Sequence, residues 1–277
     1  MSTNARRGTR TLATAAGVIV ALVALLFGVT APALAARPST PVVEKYVALG
    51  DSYAAGQGAA APLDSCLRST AAYPVLIDAE PRTNLLRTAA CSGATIADVA
   101  ATQLLQVNRG TTLVTLTVGA NDLGAGAAYA VCVPDPTSLA CAQATAAVYQ
   151  ILQSGAIAQG IADLILQIAD RAPNARIIVS DYPEPFAPGL PSPGGITDQV
   201  NALTVALDEQ IATAVILASF DGANVELASV VDAFAEHGAL GPDPWLGSDP
   251  SNPVTFLHPT LVGQDAYRDA VLAELAD

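Results

Sequence analysis

Runs dominated by apolar residues, each about as long as a buried strand, recur along the chain at Tyr46–Leu49, Leu85–Ala89, Leu113–Val118, Arg176–Ser180 and Val225–Val230. Between them the spacing changes to three and four, most clearly at Ile157, Ile161, Leu164, Ile165 and Ile168, which predicts a helix over Ile157–Ala169. Strands that alternate with helices predict an α/β fold with a parallel sheet covered on both faces. Ala172-Pro173-Asn174 ends that helix, and the Pro/Gly-rich stretch Tyr182 to Gly195 follows the fourth strand as a loop. A second loop, Gly238 to Pro253, carries the sole tryptophan, Trp245, either as a binding wall or as a buried pin.

The amino-terminal pattern differs. Arg6, Arg7 and Arg10 precede an apolar stretch, Leu12 to Leu34, closed by small residues at Ala33-Leu34-Ala35. This layout predicts a secretory signal peptide over residues 1–36, and a secreted product, or a surface-anchored one if the segment is not cleaved. The Arg6-Arg7 pair leaves the export route open. Residues 37–277 form the predicted domain, folded from about Val42 onward with no linker or internal repeat.

Composition fits one ample α/β domain or two small ones, since 277 residues at 52% apolar and 13% charged suffice for a sizeable core. Removing the signal takes three arginines and no acids, so 12 − 3 = 9 basic residues face 25 acids, a net charge of −16. A surface of that sign repels nucleic acid and anionic membranes, and the dispersed acids read as solubilising. Neither a nucleic-acid partner nor stable membrane insertion of the mature chain is expected. Four cysteines, Cys66, Cys91, Cys132 and Cys141, lie in the exported part and permit three pairings. Cys66–Cys91 with Cys132–Cys141 is favoured, because the second pair brackets the short Val133-Pro134-Asp135-Pro136 loop. Without a Cys-x-x-Cys or a histidine pair, the metal reading is weak, and no cofactor is expected.

Chemistry concentrates in a few places. "KYVALGDSYAAG" ends a strand at Gly50-Asp51-Ser52, where Ser52 is either a nucleophile at the sheet edge or a helix cap. "AACSGAT" places Gly93 just after the second strand, and "TLTVGANDLG" delivers Asn121 just after the third. An asparagine amide is a neutral donor suited to a developing oxyanion, although Asn121-Asp122 alone reads as a turn. Of two histidines, His258 in "TFLHPTLVGQDAY" lies just before Thr260, a cap for the last helix, and His237 reads as an exposed helix end. In a doubly wound sheet, strand ends converge on one crevice. There they bring together a hydroxyl, a backbone N–H and an amide, with His258 arriving from the C-terminal loop.

In this order, "GDSYAAG", Gly93, "GANDLG" and "HPTLVGQDAY" resemble the SGNH (GDSL-type) hydrolases, and within them the secreted bacterial lipases and esterases. The resemblance implies a flavodoxin-like, doubly wound, five-stranded parallel sheet between helices, a three-layer sandwich. It further implies Ser52 as nucleophile, His258 as general base, and an oxyanion hole of the Ser52 N–H, the Gly93 N–H and the Asn121 side chain. The expected substrate is a small-molecule or lipid carboxylic ester and the expected state a monomer. In such a protein a Cys66–Cys91 bridge would tie the loop after the nucleophile to the turn presenting Gly93.

One departure stands out. The family commonly carries aspartate three residues before the histidine, and Thr255 occupies that position here. The backbone carbonyl of Thr255 is therefore the expected orienting group for His258, with Asp249 or Asp243 as alternatives. Asp51 and Asp122 read as turn-forming acids that bond backbone. A catalytically weak binding protein on the same scaffold, or an esterase for acetylated polysaccharide or phospholipid, stays open as an alternative.

Overall fold

Glu44–Gly50 forms β1, and the chain then breaks into the four-residue helix α1, Ser52–Ala55, in a computed structural model describing residues 43–192 and 195–276. The signal peptide assigned from the sequence lies outside the described residues. After α1 come α2 (Tyr73–Asp78), β2 (Thr83–Thr88) and α3 (Ile96–Asp98), which runs into a π turn over Val99–Gln103 and a 3-10 turn over Leu104–Gln106. β3 (Leu113–Thr117), α4 (Ala125–Cys132), α5 (Leu139–Gln153) and α6 (Ala156–Arg171) follow. The chain closes with β4 (Arg176–Ser180), α7 (Ile196–Phe220), β5 (Val225–Ala228), α8 (Val231–Phe234) and α9 (Leu261–Ala276).

All five strands pair in parallel, in the order β2-β1-β3-β4-β5. This is the flavodoxin-like order, and its switch point lies between β1 and β3, the strands that end shortly before Ser52 and Asn121. The alternation of strand side chains builds two cores. Val47, Leu49, Val114, Leu116, Ile177 and Val179 face α6 and α7, whereas Tyr46, Ala48, Leu113 and Ile178 face Tyr73, Ile77, Phe234, Tyr267 and Val271 of α2, α8 and α9. The result is a three-layer sandwich.

The second face also buries hydroxyls. Tyr46 pairs with Thr115 at 2.7 Å, Thr117 with Tyr73 at 2.9 Å and with Ser180 at 2.6 Å, so these five buried hydroxyls satisfy one another. Strand β2, at the sheet edge, is only partly buried, which is why polar Asn84 and Arg87 interrupt it and why the apolar run starts two residues late and ends one residue late. Helix α7 is 25 residues long and apolar enough to reach across a membrane, yet Leu203, Leu207, Ile211 and Ala214 form a buried stripe against the sheet.

Candidate active site

Gly50 ends β1 at φ +134°, paired with Thr117 of β3, and a Cβ there would lie 2.3 Å from the Thr117 carbonyl oxygen. Only glycine brings the strands this close. Three hydrogen bonds fix the turn that follows. The Asp51 N–H donates to the Thr117 carbonyl at 2.9 Å, and the buried Gln103 amide donates to the Gly50 carbonyl and accepts from its N–H, both at 2.8 Å. The π turn over Val99–Gln103 delivers that glutamine, a use such turns often serve.

Asp51 caps α1 by accepting from the Tyr53 N–H at 2.9 Å, and its other oxygen accepts from the Tyr182 hydroxyl at 2.5 Å. Burial pushes the Asp51 carboxyl up to about 7, while these two donors pull it down. Asp122 accepts from the Ile96 N–H at 3.1 Å, so both acids bond backbone at their turns.

Ser52, 8% exposed, directs its hydroxyl to His258 Nε2 at 3.0 Å. His258 rides on a loop held by several segments: the Gly247 N–H donates to the His258 carbonyl and the Leu257 N–H to the Gly247 carbonyl, each at 2.9 Å. A Cβ on Gly247 would sit 2.0 Å from the Thr255 carbonyl oxygen, so a side chain there would displace the loop. The Tyr53 hydroxyl donates to the Leu257 carbonyl at 2.7 Å, and Thr260 accepts from the Gly263 N–H at 3.4 Å as the cap of α9.

The carbonyl facing His258 Nδ1 belongs to Phe256, at 3.0 Å, and not to Thr255. Thr255's carbonyl is occupied by the backbone N–H of His258 itself, at 3.0 Å, in a tight turn. Leu257, held at φ 60°, bends the chain so that the carbonyl two residues before the imidazole folds back onto it. The alternative acids are engaged elsewhere, Asp249 with Ser251 at 2.7 Å and Asp243 with His237 at 3.4 Å. Among the described residues no carboxylate pairs with His258. Burial lowers its pKa to about 4, opposed by the Phe256 carbonyl, so the imidazole is neutral at physiological pH and free to accept a proton.

Asn121 donates from Nδ2 to the Ala94 carbonyl at 3.0 Å, which ties it to the turn bearing Gly93. Among the described residues neither the Ser52 N–H nor the Gly93 N–H has an internal hydrogen-bond partner. Space around Gly93 is open, with nothing within 4 Å of where a Cβ would stand. Such N–H groups, and an amide like that of Asn121, are chemically able to donate to a developing oxyanion.

Ser52, Asn121 and His258 line a cavity of about 420 Å³ whose remaining wall is mostly apolar, including Leu123, Tyr129, Val200, Leu203, Leu207 and Phe256. Cys132, also in the wall, is bonded to Cys141, and Cys66 to Cys91, as the pairing read from the sequence expects. The second bridge lies beside the Gly93 turn, where the Ser92 N–H donates to the Cys66 carbonyl at 3.0 Å. Replacing Cys66 and Cys91 by serine is expected to destabilise the fold by about 3 kcal/mol, from the closed loop's entropy. Thermal unfolding with and without the pair measures it.

Trp245 is not part of this cavity wall. It stacks on His237 at 3.7 Å between ring centroids and meets Phe234 edge-on at 5.4 Å, so it pins its loop. His237 correspondingly is not an exposed helix end: α8 stops at Phe234, and the half-buried imidazole contacts the Asp243 carbonyl at 2.8 Å. Three site residues escape the sequence reading. Phe256 acts through its backbone, which carries no sequence signal, and Gln57 and Gln103 are single glutamines outside any motif.

A parallel sheet with a paired serine and histidine at its carboxyl edge has the chemistry of a serine-dependent ester hydrolase. The model of the GDSL-like Lipase/Acylhydrolase family matches residues 48–266, and the chain belongs to that family. It is 34% identical over 262 residues to a protein named Lipase from Streptomyces rimosus, covering 93% of this chain and 95% of that one. It is 32% identical over 252 residues to Lipase 1 of Streptomyces coelicolor, covering 89% and 91%. The crystal structure of an extracellular lipase from Streptomyces rimosus superposes with a TM-score of 0.72 at 32% identity, covering 83% of this chain and 99% of that one. That of a phospholipase A1 from Streptomyces albidoflavus superposes with a TM-score of 0.76 at 27% identity, covering 84% and 99%.

Proposed function

We propose that this ester hydrolase is a secreted, monomeric lipase acting on esters with apolar acyl chains through an acyl-enzyme on Ser52. The observation that carries the reading is the 3.0 Å contact of Ser52 Oγ with His258 Nε2 at an apolar cavity. Nε2 accepts the hydroxyl proton only if Nδ1 carries the ring hydrogen, and donation to the Phe256 carbonyl supports that tautomer. As Oγ attacks the ester carbonyl, its proton passes to Nε2, and the Ser52 N–H, Gly93 N–H and Asn121 amide receive the negative oxygen. His258 then protonates the leaving alcohol, and a water activated by the same nitrogen releases the acid. The amino-terminal pattern of Arg6 to Ala35 supports export, in agreement with the extracellular Streptomyces rimosus lipase.

The apolar wall favours acyl chains over sugars, and Trp245, engaged by His237, is no stacking platform for a polysaccharide. Leu203→Arg, which sets a charge in that wall, is expected to lower kcat/KM for an octanoate ester at least about tenfold, while acetate hydrolysis changes by less than about threefold. A p-nitrophenyl ester series reads this, and vesicles of a diacyl phospholipid test the phospholipase reading beside it. A fluorophosphonate probe should label Ser52 in the folded wild-type chain. An unreactive Ser52 would overturn the mechanism in favour of a binding scaffold.

A further inference from the structure

Gln57, 5% exposed, follows the left-handed Gly56 that ends α1, and it takes no part in the mechanism above. Its side-chain amide meets three segments of the site at once. Oε1 accepts from the Ser92 hydroxyl, next to Gly93, and Nε2 donates to the Val254 carbonyl at 2.9 Å. Nε2 also lies 3.3 Å from His258 Nδ1.

The two outer bonds fix the amide's orientation, since exchanging its oxygen and nitrogen would set two carbonyl-type oxygens against each other at Val254. In the tautomer that lets Nε2 accept from Ser52, Nδ1 carries a hydrogen, so Gln57 offers it no acceptor. The Gln57 amide instead blocks that side of the ring, leaving the Phe256 carbonyl as the place for the Nδ1 hydrogen. The cystine from Cys66 to Cys91 and the Asn121 bond to Ala94 hold the Gly93 turn from other directions, but neither reaches the histidine loop.

We propose that Gln57 is a positioning residue, whose single amide holds the Ser92–Gly93 turn and the His258 loop at the spacing the reaction needs. The inference rests on the roles assigned above to Ser52, His258 and Gly93. It implies that one side chain sets oxyanion donor and base against each other, in a site where no carboxylate among the described residues pairs with the histidine.

Gln57→Leu is expected to lower kcat for p-nitrophenyl butyrate at least about tenfold with KM changed by less than about twofold, because substrate does not touch the amide. Ser92→Ala should give a smaller loss, and the double variant should fall no lower than Gln57→Leu alone, the signature of one shared network. Fully additive losses, or kcat within about twofold of wild type in Gln57→Leu, would overturn the proposal. Should Gln57→Leu fail to fold, the near-isosteric Gln57→Glu decides the contact. With only two histidines in the chain, an NMR titration resolves His258, whose pKa should rise by at least about one unit as a carboxylate takes the place of Nε2. An unchanged titration would mean that Gln57 does not face the imidazole, which also overturns the proposal. A folded wild-type chain that neither hydrolyses the ester nor labels at Ser52 would sink the hydrolase mechanism instead, while the Gln57→Glu titration would still report on the contact.

Discussion

Ser52→Ala is expected to lower kcat for ester hydrolysis on the order of 10⁶-fold, and His258→Ala by a similar factor, because the two act as one unit. The double variant should be scarcely worse than either single one. That non-additivity separates a true nucleophile and base from two residues that each hold the fold, for which losses would multiply. What survives should come from the oxyanion donors and the apolar cavity, which both variants retain. Measured kcat on a p-nitrophenyl ester, with circular dichroism to verify folding, checks the result; activity within tenfold of wild type in either variant would end the assignment.

The same pair dictates a pH profile. As a general base His258 would work only when neutral, and burial lowers its pKa to about 4, so kcat/KM should hold down to near pH 4 and fall below it. An unshifted imidazole would already lose activity below about pH 6.5. The stability consequence has a definite sign. Between pH 6.5 and about 4 the unfolded chain binds a proton that the folded His258 refuses, so this group's contribution is lost as the solution is acidified through that window. Asp51 acts oppositely. Its folded carboxyl keeps a proton up to about pH 7 that the unfolded chain has released above 3.8, so its contribution is lost as pH rises from 3.8 to about 7.

How much of this was legible in the sequence depends on where each residue's information resides. The central strands β1, β3 and β4 bury both faces, so they declare themselves as apolar runs, and α6 shows itself through Ile157 to Ile168. Edge strand β2 is half exposed and dilutes its own signal with Asn84 and Arg87. Ser52, Gly93, Asn121 and His258 stand out in the sequence as candidates because a hydroxyl, a glycine, an amide and an imidazole follow strand ends in a recognisable order, and the structure brings Ser52 and His258 within 3.0 Å. The orienting carbonyl was not. Every residue has one, and whether Thr255 or Phe256 supplies it depends on the left-handed turn at Leu257, a conformation that leucine rarely adopts and no pattern announces. The π turn that aims Gln103 at Gly50, and the reach of Gln57 across 201 positions to His258, are tertiary facts of the same kind.

Asn121→Ala is expected to lower kcat by about 10² to 10³, equivalent to roughly 3–4 kcal/mol of transition-state stabilisation, with little change in KM. The asymmetry arises because the donor matters when charge develops on the carbonyl oxygen, not when the neutral ester binds. The amide would suit the proposed role because one N–H is already committed to the Ala94 carbonyl, which fixes the side chain before substrate arrives and would leave the second N–H for the oxyanion. Losing the amide also removes that tie to the Gly93 turn, so part of the penalty would be looseness in a neighbouring donor. Asn121→Asp separates the two contributions: it keeps the size of the side chain, offers no N–H and adds a negative charge where one must form. Its kcat should therefore fall below that of Asn121→Ala. Equal or higher activity in the aspartate variant would show that Asn121 shapes the turn without touching the developing charge, and the oxyanion hole would reduce to the Ser52 and Gly93 N–H groups.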